Sequence, residues 1–160
     1  MENIKNIIRD IPDFPTEGIL FRDITPLLQH GGMFADTINI FRDRYANKGI
    51  DKIAAVESRG FFFASPLAYA LGCGLVPLRK PGKLPHETIN QSYKLEYGEA
   101  ALEIHTDAID KNEKILVFDD LLATGGTARA AVELTRKLGG RVIEAAFVVE
   151  LCALGGKRQA

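Results

Sequence analysis

Apolar residues recur in two rhythms along the chain, and the rhythms alternate. "NIKNIIRD" reads as a short amphipathic helix stopped by Pro12 and Pro15. "MFADTINIFRDRYANKG" sets Phe34, Ile38, Phe41 and Tyr45 at helical spacing, with Gly49 past the end. "DKIAAVE" is a short apolar run and predicts a buried strand. "FFFASPLAYALGCG" then predicts a helix, with Pro66 tolerable only near its start and Gly72 and Gly74 as stop and turn. "LVPLRK", "KILVFDD" and "VIEAAFVVEL" are further strand candidates. Pro81 to Ile104 breaks the rhythm by mixing Gly, Pro and charge with short alternating stretches, which predicts a hairpin or hood projecting from the sheet. Strand–helix alternation implies an α/β fold, a mainly parallel central sheet flanked by helices. In such sheets ligands bind beyond the carboxyl ends of the strands.

Composition narrows the class. At 160 residues the chain fits one domain with a single core. A net charge of -1 supplies no global attraction to nucleic acid or to an anionic membrane. The two cysteines, Cys73 and Cys152, are far apart and outside any CxxC pattern, so reduced thiols and a cytoplasmic location are expected. "MENIKNIIRDIPDFP" is too polar for a signal peptide, and no apolar run approaches the length of a membrane span.

The chemistry concentrates in "KILVFDDLLATGGTARAAVELTRKLGG", Lys114 to Gly140. Asp119 and Asp120 follow an apolar stretch suited to a central strand. Within a regular strand they would point to opposite faces, and an unpaired buried carboxylate is costly. At the carboxyl end of the strand, where the pleat relaxes, both can face a polar ligand. Ala123, Thr124, Gly125, Gly126 and Thr127 then supply a turn whose amides can form an anion nest at a helix start, with two hydroxyls beside it. A Thr-capped helix behind a Gly turn, with solvated acids, would also fit these residues. GxxxxGK[ST] is absent, and "LGCGLV" breaks any GxGxxG, so neither a Walker loop nor a dinucleotide fingerprint is present. Acids for polyols or metal next to amides for a phosphate describe a site for a sugar phosphate.

"ILVFDDLLATGGTA" resembles the 5-phosphoribosyl-1-pyrophosphate (PRPP) motif of the type I phosphoribosyltransferases, and its variant "DDLLATGGT" is similar to that of the adenine-specific family among them. "DFPTEGILFRDITPLL", "ESRGFFFASPLA", "VPLRKPGKLP" and "SYKLEYGEAALEIHTDAI" match in order and spacing, so the resemblance covers nearly the whole chain. It implies a single phosphoribosyltransferase domain, with a base-binding hood over about residues 1–32 and a mobile lid over about 81–104. It also implies a reaction: adenine and PRPP, with Mg2+ bound alongside PRPP, give AMP and pyrophosphate, a step of purine salvage carried out by a homodimer.

Residue roles follow from the resemblance. Asp119 and Asp120 would meet the ribose hydroxyls, directly or through Mg2+, and Ala123 to Thr127 the 5'-phosphate. Glu57, Ser58 and Arg59 would form the pyrophosphate turn, with a strained and candidate cis peptide between Glu57 and Ser58. Without its position after a core strand, Arg59 would equally suit a surface pair with Glu57. Lys80 and Lys83 would reach the pyrophosphate, although bare sequence also fits solvated loop lysines. Glu96 would be the general acid or hydrogen-bond partner at the imidazole edge of the purine, with Tyr97 beside it in the lid; an exposed strand glutamate is the alternative. His86 and His105 read as loop and strand-end residues.

"GILFRD" predicts an ordered loop with a short extended stretch, Leu20 to Arg22, that offers adenine a carbonyl and an amide. Phe21 would stack on the base and Leu121 pack its other side; Phe21 could instead anchor the core. Relatives continue past "LGG" into a further segment ending in an apolar strand. The sequence here reads "LGGKRQA", a departure that bears on an edge of the sheet more than on the site. A PRPP-sensing regulator, or a transferase for another purine base, are the competing readings.

Overall fold

A computed structural model describes residues 2–94 and 99–156 of the chain. They fall into two compact units, residues 1–43 and 44–160.

In the first unit, helix α1 (Glu2–Ile7) leads into β1 (Arg9–Ile11), which pairs antiparallel with β2 (Phe21–Asp23). Phe21 to Asp23 is therefore a paired strand, overlapping the extended stretch expected at Leu20 to Arg22 but regular where Pro15 and Gly18 suggested a loop. The intervening turn is held by Gly18 N donating to Asp13 Oδ1 at 2.8 Å, and it includes a cis bond before Pro15. Asp23 accepts from the amide and the hydroxyl of Thr25, both at 2.9 Å, and so opens α2 (Thr25–Gln29). Helix α3 (Gly31–Tyr45) follows.

The second unit carries four parallel strands: β3 (Lys52–Val56), β4 (Gly74–Leu78), β7 (Lys114–Leu122) and β8 (Arg141–Glu150), in the order β4-β3-β7-β8. The sheet is flanked by α4 (Gly60–Leu71) and α5 (Gly126–Lys137). Alternation along the strands sorts the two faces. Ala54, Val56, Ile115 and Val117 pack with Ala130, Ala131 and Leu134 of α5. Ile53, Ala55, Leu116 and Phe118 are equally buried and point the other way, where α4 buries Phe63, Ala64 and Leu67. Both faces are covered, which is why these strands read as unbroken apolar runs. β5 (Thr88–Lys94) and β6 (Glu99–His105) form the expected hairpin, in register from Thr88↔His105 to Lys94↔Glu99.

Three local expectations change. Pro66 lies inside α4 instead of near its start. The carbonyl that loses its partner belongs to Phe62, a half-exposed position where solvent can satisfy it. Gly74 is not in a turn; it opens β4 opposite Lys52. β7 does not end at the aspartates but runs on to Leu122, because β8 stays paired with it through Leu122↔Glu150.

Candidate active site

The site forms where two adjacent parallel strands release the chain into helices. β3 pairs with β7 only as far as Ala55↔Phe118. Beyond that register the Glu57–Gly60 turn departs on one side, while β7 continues against β8 alone. Asp119 and Asp120 lie in this one-sided stretch, so the strand can carry acids there without placing them between two neighbours.

The pair is short of partners. Asp119 Oδ1 accepts from the Asp120 amide at 2.8 Å. Asp120 is 4% exposed, and its Oδ2 lies 3.0 Å from Arg59 Nε. The N–H of Arg59 does not point along that line, and the buried Oδ2 has no hydrogen-bond partner among the described residues. Burial raises the Asp119 carboxyl well above the usual carboxylate range, and the charge of Asp120 raises it further. Asp120 is also raised by burial, against the pull of the Arg59 guanidinium. Two such acids titrate as a unit and hold a proton more tightly than solvated aspartates do. They suit a ligand that brings hydroxyl donors or positive charge. Among the described residues no third acid, His or Cys joins them in a metal cluster, so a divalent ion here would take most of its shell from the ligand and water.

Behind the acids, Ala123 to Gly125 form the turn into α5. Gly125 sits at φ 90°, a left-handed conformation suited to glycine, and no side chain caps the helix start. The first-turn amides of α5 are thus left for an anion, with the half-buried Thr124 and Thr127 beside them. The Thr-capped alternative is not what forms.

The β3–α4 turn carries the cis bond between Glu57 and Ser58. Arg59 does not pair with Glu57. The partner of Glu57 is Arg79, whose Nε donates to Oε2 at 2.7 Å, while the Lys80 amide donates to Oε1 at 3.0 Å. Burial pushes the Glu57 carboxyl up, but these donors outweigh it and hold it below the ordinary range. Sequence reasoning did not single out Arg79; the one available signal was its place beside Lys80 at a strand end. Its Nη1 also donates to the Lys83 carbonyl at 3.2 Å, and its backbone bridges Glu103 of β6. Lys80 and Lys83 are exposed on the turn so formed. Gly60 brings α4 against β7: a Cβ there would fall 3.0 Å from Asp119 Oδ1 and 3.3 Å from the Phe118 carbonyl.

Of the remaining predicted residues, Glu96 and Tyr97 lie outside the described residues. Leu121 is half-buried on β7. In the first unit, Phe21 meets Phe14 edge-on at 5.1 Å, Leu20 is 46% exposed, and the Arg22 guanidinium pairs with Asp10. A cleft of about 450 Å³ between β5 and α5 touches the start of α5 at Gly126 and is otherwise lined by Gln91, Tyr93, Arg129 and Glu133 among others. The carboxylate pair does not line it, so its size is no guide to the chemistry.

Residues 24–159 match the phosphoribosyl transferase domain family. The chain is 55% identical over 159 residues to the adenine phosphoribosyltransferase of Psychromonas ingrahamii, covering 99% of this chain and 88% of that one. The crystal structure of adenine phosphoribosyltransferase from Thermoanaerobacter pseudethanolicus superposes with a TM-score of 0.95 at 49% identity, covering 99% of this chain and 92% of its own. The Saccharomyces cerevisiae enzyme, complexed with D-2,5-dideoxy-2,5-imino-altritol 1,6-bisphosphate and adenine, superposes at 0.94 with 40% identity, covering 99% and 93%. Paired acids beside an uncapped helix start occur here in a fold and a sequence shared along almost their full length with these enzymes, and the chain belongs to the adenine phosphoribosyltransferase family.

Proposed function

We infer that this chain transfers the 5-phosphoribosyl group of PRPP to adenine, releasing pyrophosphate and forming AMP in purine salvage. The observation that carries the reading is the buried, partner-poor Asp119–Asp120 pair next to the uncapped start of α5.

Each group has a matching task. Ala123, Thr124, Gly125, Gly126 and Thr127 hold the 5'-phosphate through amides and hydroxyls. Asp119 and Asp120 take the ribose hydroxyls, and their charge favours a ribosyl centre that turns cationic as pyrophosphate leaves. Magnesium bound with PRPP would neutralise phosphate charge, and the two acids are the residues that would hold it, indirectly or through PRPP. Arg59 and the Ser58 main chain hold the pyrophosphate, with Lys80 and Lys83 closing on it. Glu57 serves that site through its backbone, since its carboxylate is committed to Arg79 and Lys80. The Arg59–Asp120 ion pair marks where substrate enters: an anion replaces Asp120 for the one, and hydroxyls or a cation replace Arg59 for the other.

Residues 1–32 act as the base-binding hood. Leu20, Phe21 and Arg22 address adenine by main chain and ring face, which agrees with the Arg22 side chain being occupied by Asp10. Leu121 packs the base, and Glu96 and Tyr97 act from the lid, Glu96 at the imidazole edge. The enzyme works as a cytoplasmic homodimer; the exposed Phe62 and Tyr69 on the outer side of α4 are apolar surface suited to a second copy. No helix among the described residues is long and apolar enough to cross a membrane.

The test is turnover with competing bases. Adenine, PRPP and Mg2+ should yield AMP. Hypoxanthine reverses the donor–acceptor pattern of adenine and should be rejected by up to ~10⁴–10⁵ in kcat/KM. PRPP binding without turnover would favour a sensor, and comparable efficiency on hypoxanthine would reassign the base.

A further inference from the structure

We propose that Gly156 is a positioning residue for the loop Ala123–Thr127, acting as a buttress beneath the turn that takes the 5'-phosphate. After β8 the chain stays on β7 for one more residue, with Leu151 N donating to the Leu122 carbonyl at 2.9 Å. A single 3-10 turn, Cys152–Leu154, then reverses it, closed by Leu154 N donating to the Leu151 carbonyl at 2.9 Å. Gly155 ends that turn in the left-handed region at φ 65° and delivers Gly156 onto the loop. Gly156 is buried, and a Cβ on it would lie 2.3 Å from the Ala123 carbonyl oxygen, 3.2 Å from the Ala123 carbonyl carbon and 3.0 Å from Leu122 Cγ.

These neighbours cannot all move aside. The nearest is main chain, and it is the main chain of the first loop residue. Any side chain at residue 156 must push the Ala123 peptide, and Ala123 leads directly into the Gly125 turn that aims the first-turn amides of α5. A nest of amides binds phosphate only while its N–H vectors converge, so a displacement of about 1 Å at one end should be read out in phosphate affinity. The segment after β8 thus bears on the site itself as well as on the edge of the sheet. The three atoms nearest a Cβ at Gly156 all belong to Leu122 and Ala123, so its effect falls first on the loop.

The proposal rests on assigning Ala123–Thr127 to the 5'-phosphate, and the variants are chosen to separate the two claims. Gly156→Ala should raise the PRPP KM by about tenfold or more and weaken ribose 5-phosphate binding, measured by calorimetry, to a similar degree. The kcat at saturating PRPP and the adenine KM should stay within about twofold. A chain ended after Leu154 removes the buttress by another route and should show the same split, which decides the matter if Gly156→Ala does not fold. Asn tolerates the left-handed conformation and a Cβ at Gly155 meets no atom within 4 Å, so Gly155→Asn should keep the wild-type PRPP KM. A wild-type PRPP KM in Gly156→Ala or in the shortened chain would overturn the proposal, as would a loss of kcat with PRPP KM unchanged, or an equal rise in KM in Gly155→Asn. Thr124→Ala separates the underlying assignment. If it leaves ribose 5-phosphate binding intact, the loop is not the phosphate site and both claims fall; if it weakens binding while Gly156→Ala does not, only the buttress falls.

Discussion

Two neighbouring strands carry acids at or just beyond their carboxyl-terminal stretches, and the molecule treats them in opposite ways. After β3, Glu57 is met by Arg79 at 2.7 Å and by the Lys80 amide at 3.0 Å, and its carboxyl is held below the ordinary range. Along β7, Asp119 accepts only the Asp120 amide among the described hydrogen bonds, Asp120 Oδ2 lies 3.0 Å from Arg59 without a hydrogen bond among the described residues, and both carboxyls are pushed up. Folding alone would select the first arrangement everywhere, because unpaired buried acids cost stability. The second persists where a ligand supplies the missing donors. On the proposed reading, Glu57 is scaffolding for a binding turn and the aspartates are the binding surface.

That contrast predicts opposite signs for one kind of substitution. Asp120→Asn should lower kcat/KM for PRPP by about tenfold to a thousandfold, since it removes one charge that the proposed site turns toward the ribose. The same change should raise the unfolding free energy at pH 7, by on the order of 1 kcal/mol, because a disfavoured buried charge is gone. Unchanged kinetics across a range of magnesium would place Asp120 outside the site. A variant slower and also less stable would show that the pair serves the fold.

Arg59→Lys tests the ion pair that joins the two regions. A point charge replaces a planar fork, so pyrophosphate affinity should fall by about 1–3 kcal/mol, or roughly five- to a hundredfold. Equilibrium binding of pyrophosphate decides it; equal affinities would leave Arg59 as a partner of Asp120 and nothing more.

Glu57→Gln should behave as the mirror of Asp120→Asn. It weakens a mostly buried charged pair and should cost about 1–2 kcal/mol of stability, seen as a lower urea midpoint. With Glu57 acting through its backbone, as proposed, PRPP KM should rise only a fewfold, with kcat nearly preserved. A collapse of kcat would move the Glu57 carboxylate into the chemistry.

The smallest effect is the pH dependence of stability. Acids raised in the folded state bind protons more tightly there, so the aspartates make the fold less stable as pH climbs from about 4 toward neutrality. Glu57, depressed on folding, contributes stability above about pH 4 that is lost as pH falls through its folded value. Urea midpoints between pH 3 and 8 should show Asp120→Asn flattening the loss toward neutrality and Glu57→Gln flattening the loss toward acid. The same slope in all three proteins would remove the electrostatic contrast.

Much of this was legible in the chain. The acid pair, the glycine turn and the helix after it announce themselves because charge, φ > 0 residues and apolar periodicity are local signals. Pairings between distant residues are not. Glu57 and Arg59 stand two apart in sequence yet choose Arg79 and Asp120, because the sheet sets β3 between β4 and β7. The extension of β7 to Leu122 was hidden for the same reason: acids read as the end of a strand until a one-sided partner such as β8 allows them inside it. Pro66 shows tertiary burial of Phe63 and Leu67 overriding a local penalty. Gly156 gave no sequence signal beyond "LGG", since close approach to a carbonyl thirty-odd residues back is visible only in three dimensions.

The central claim is that Asp119 and Asp120 are kept short of partners so that substrate can complete them, and proton release on binding tests it most directly. Titrating PRPP with Mg2+ into the protein at pH 7, in two buffers of different ionisation enthalpy, should report net release of up to about one proton per site as ribose and metal draw the raised acids into the charged state. Asp120→Asn should lose that release while the titration of PRPP itself stays the same in both experiments. No release in the wild type, or equal release in the variant, would contradict the account.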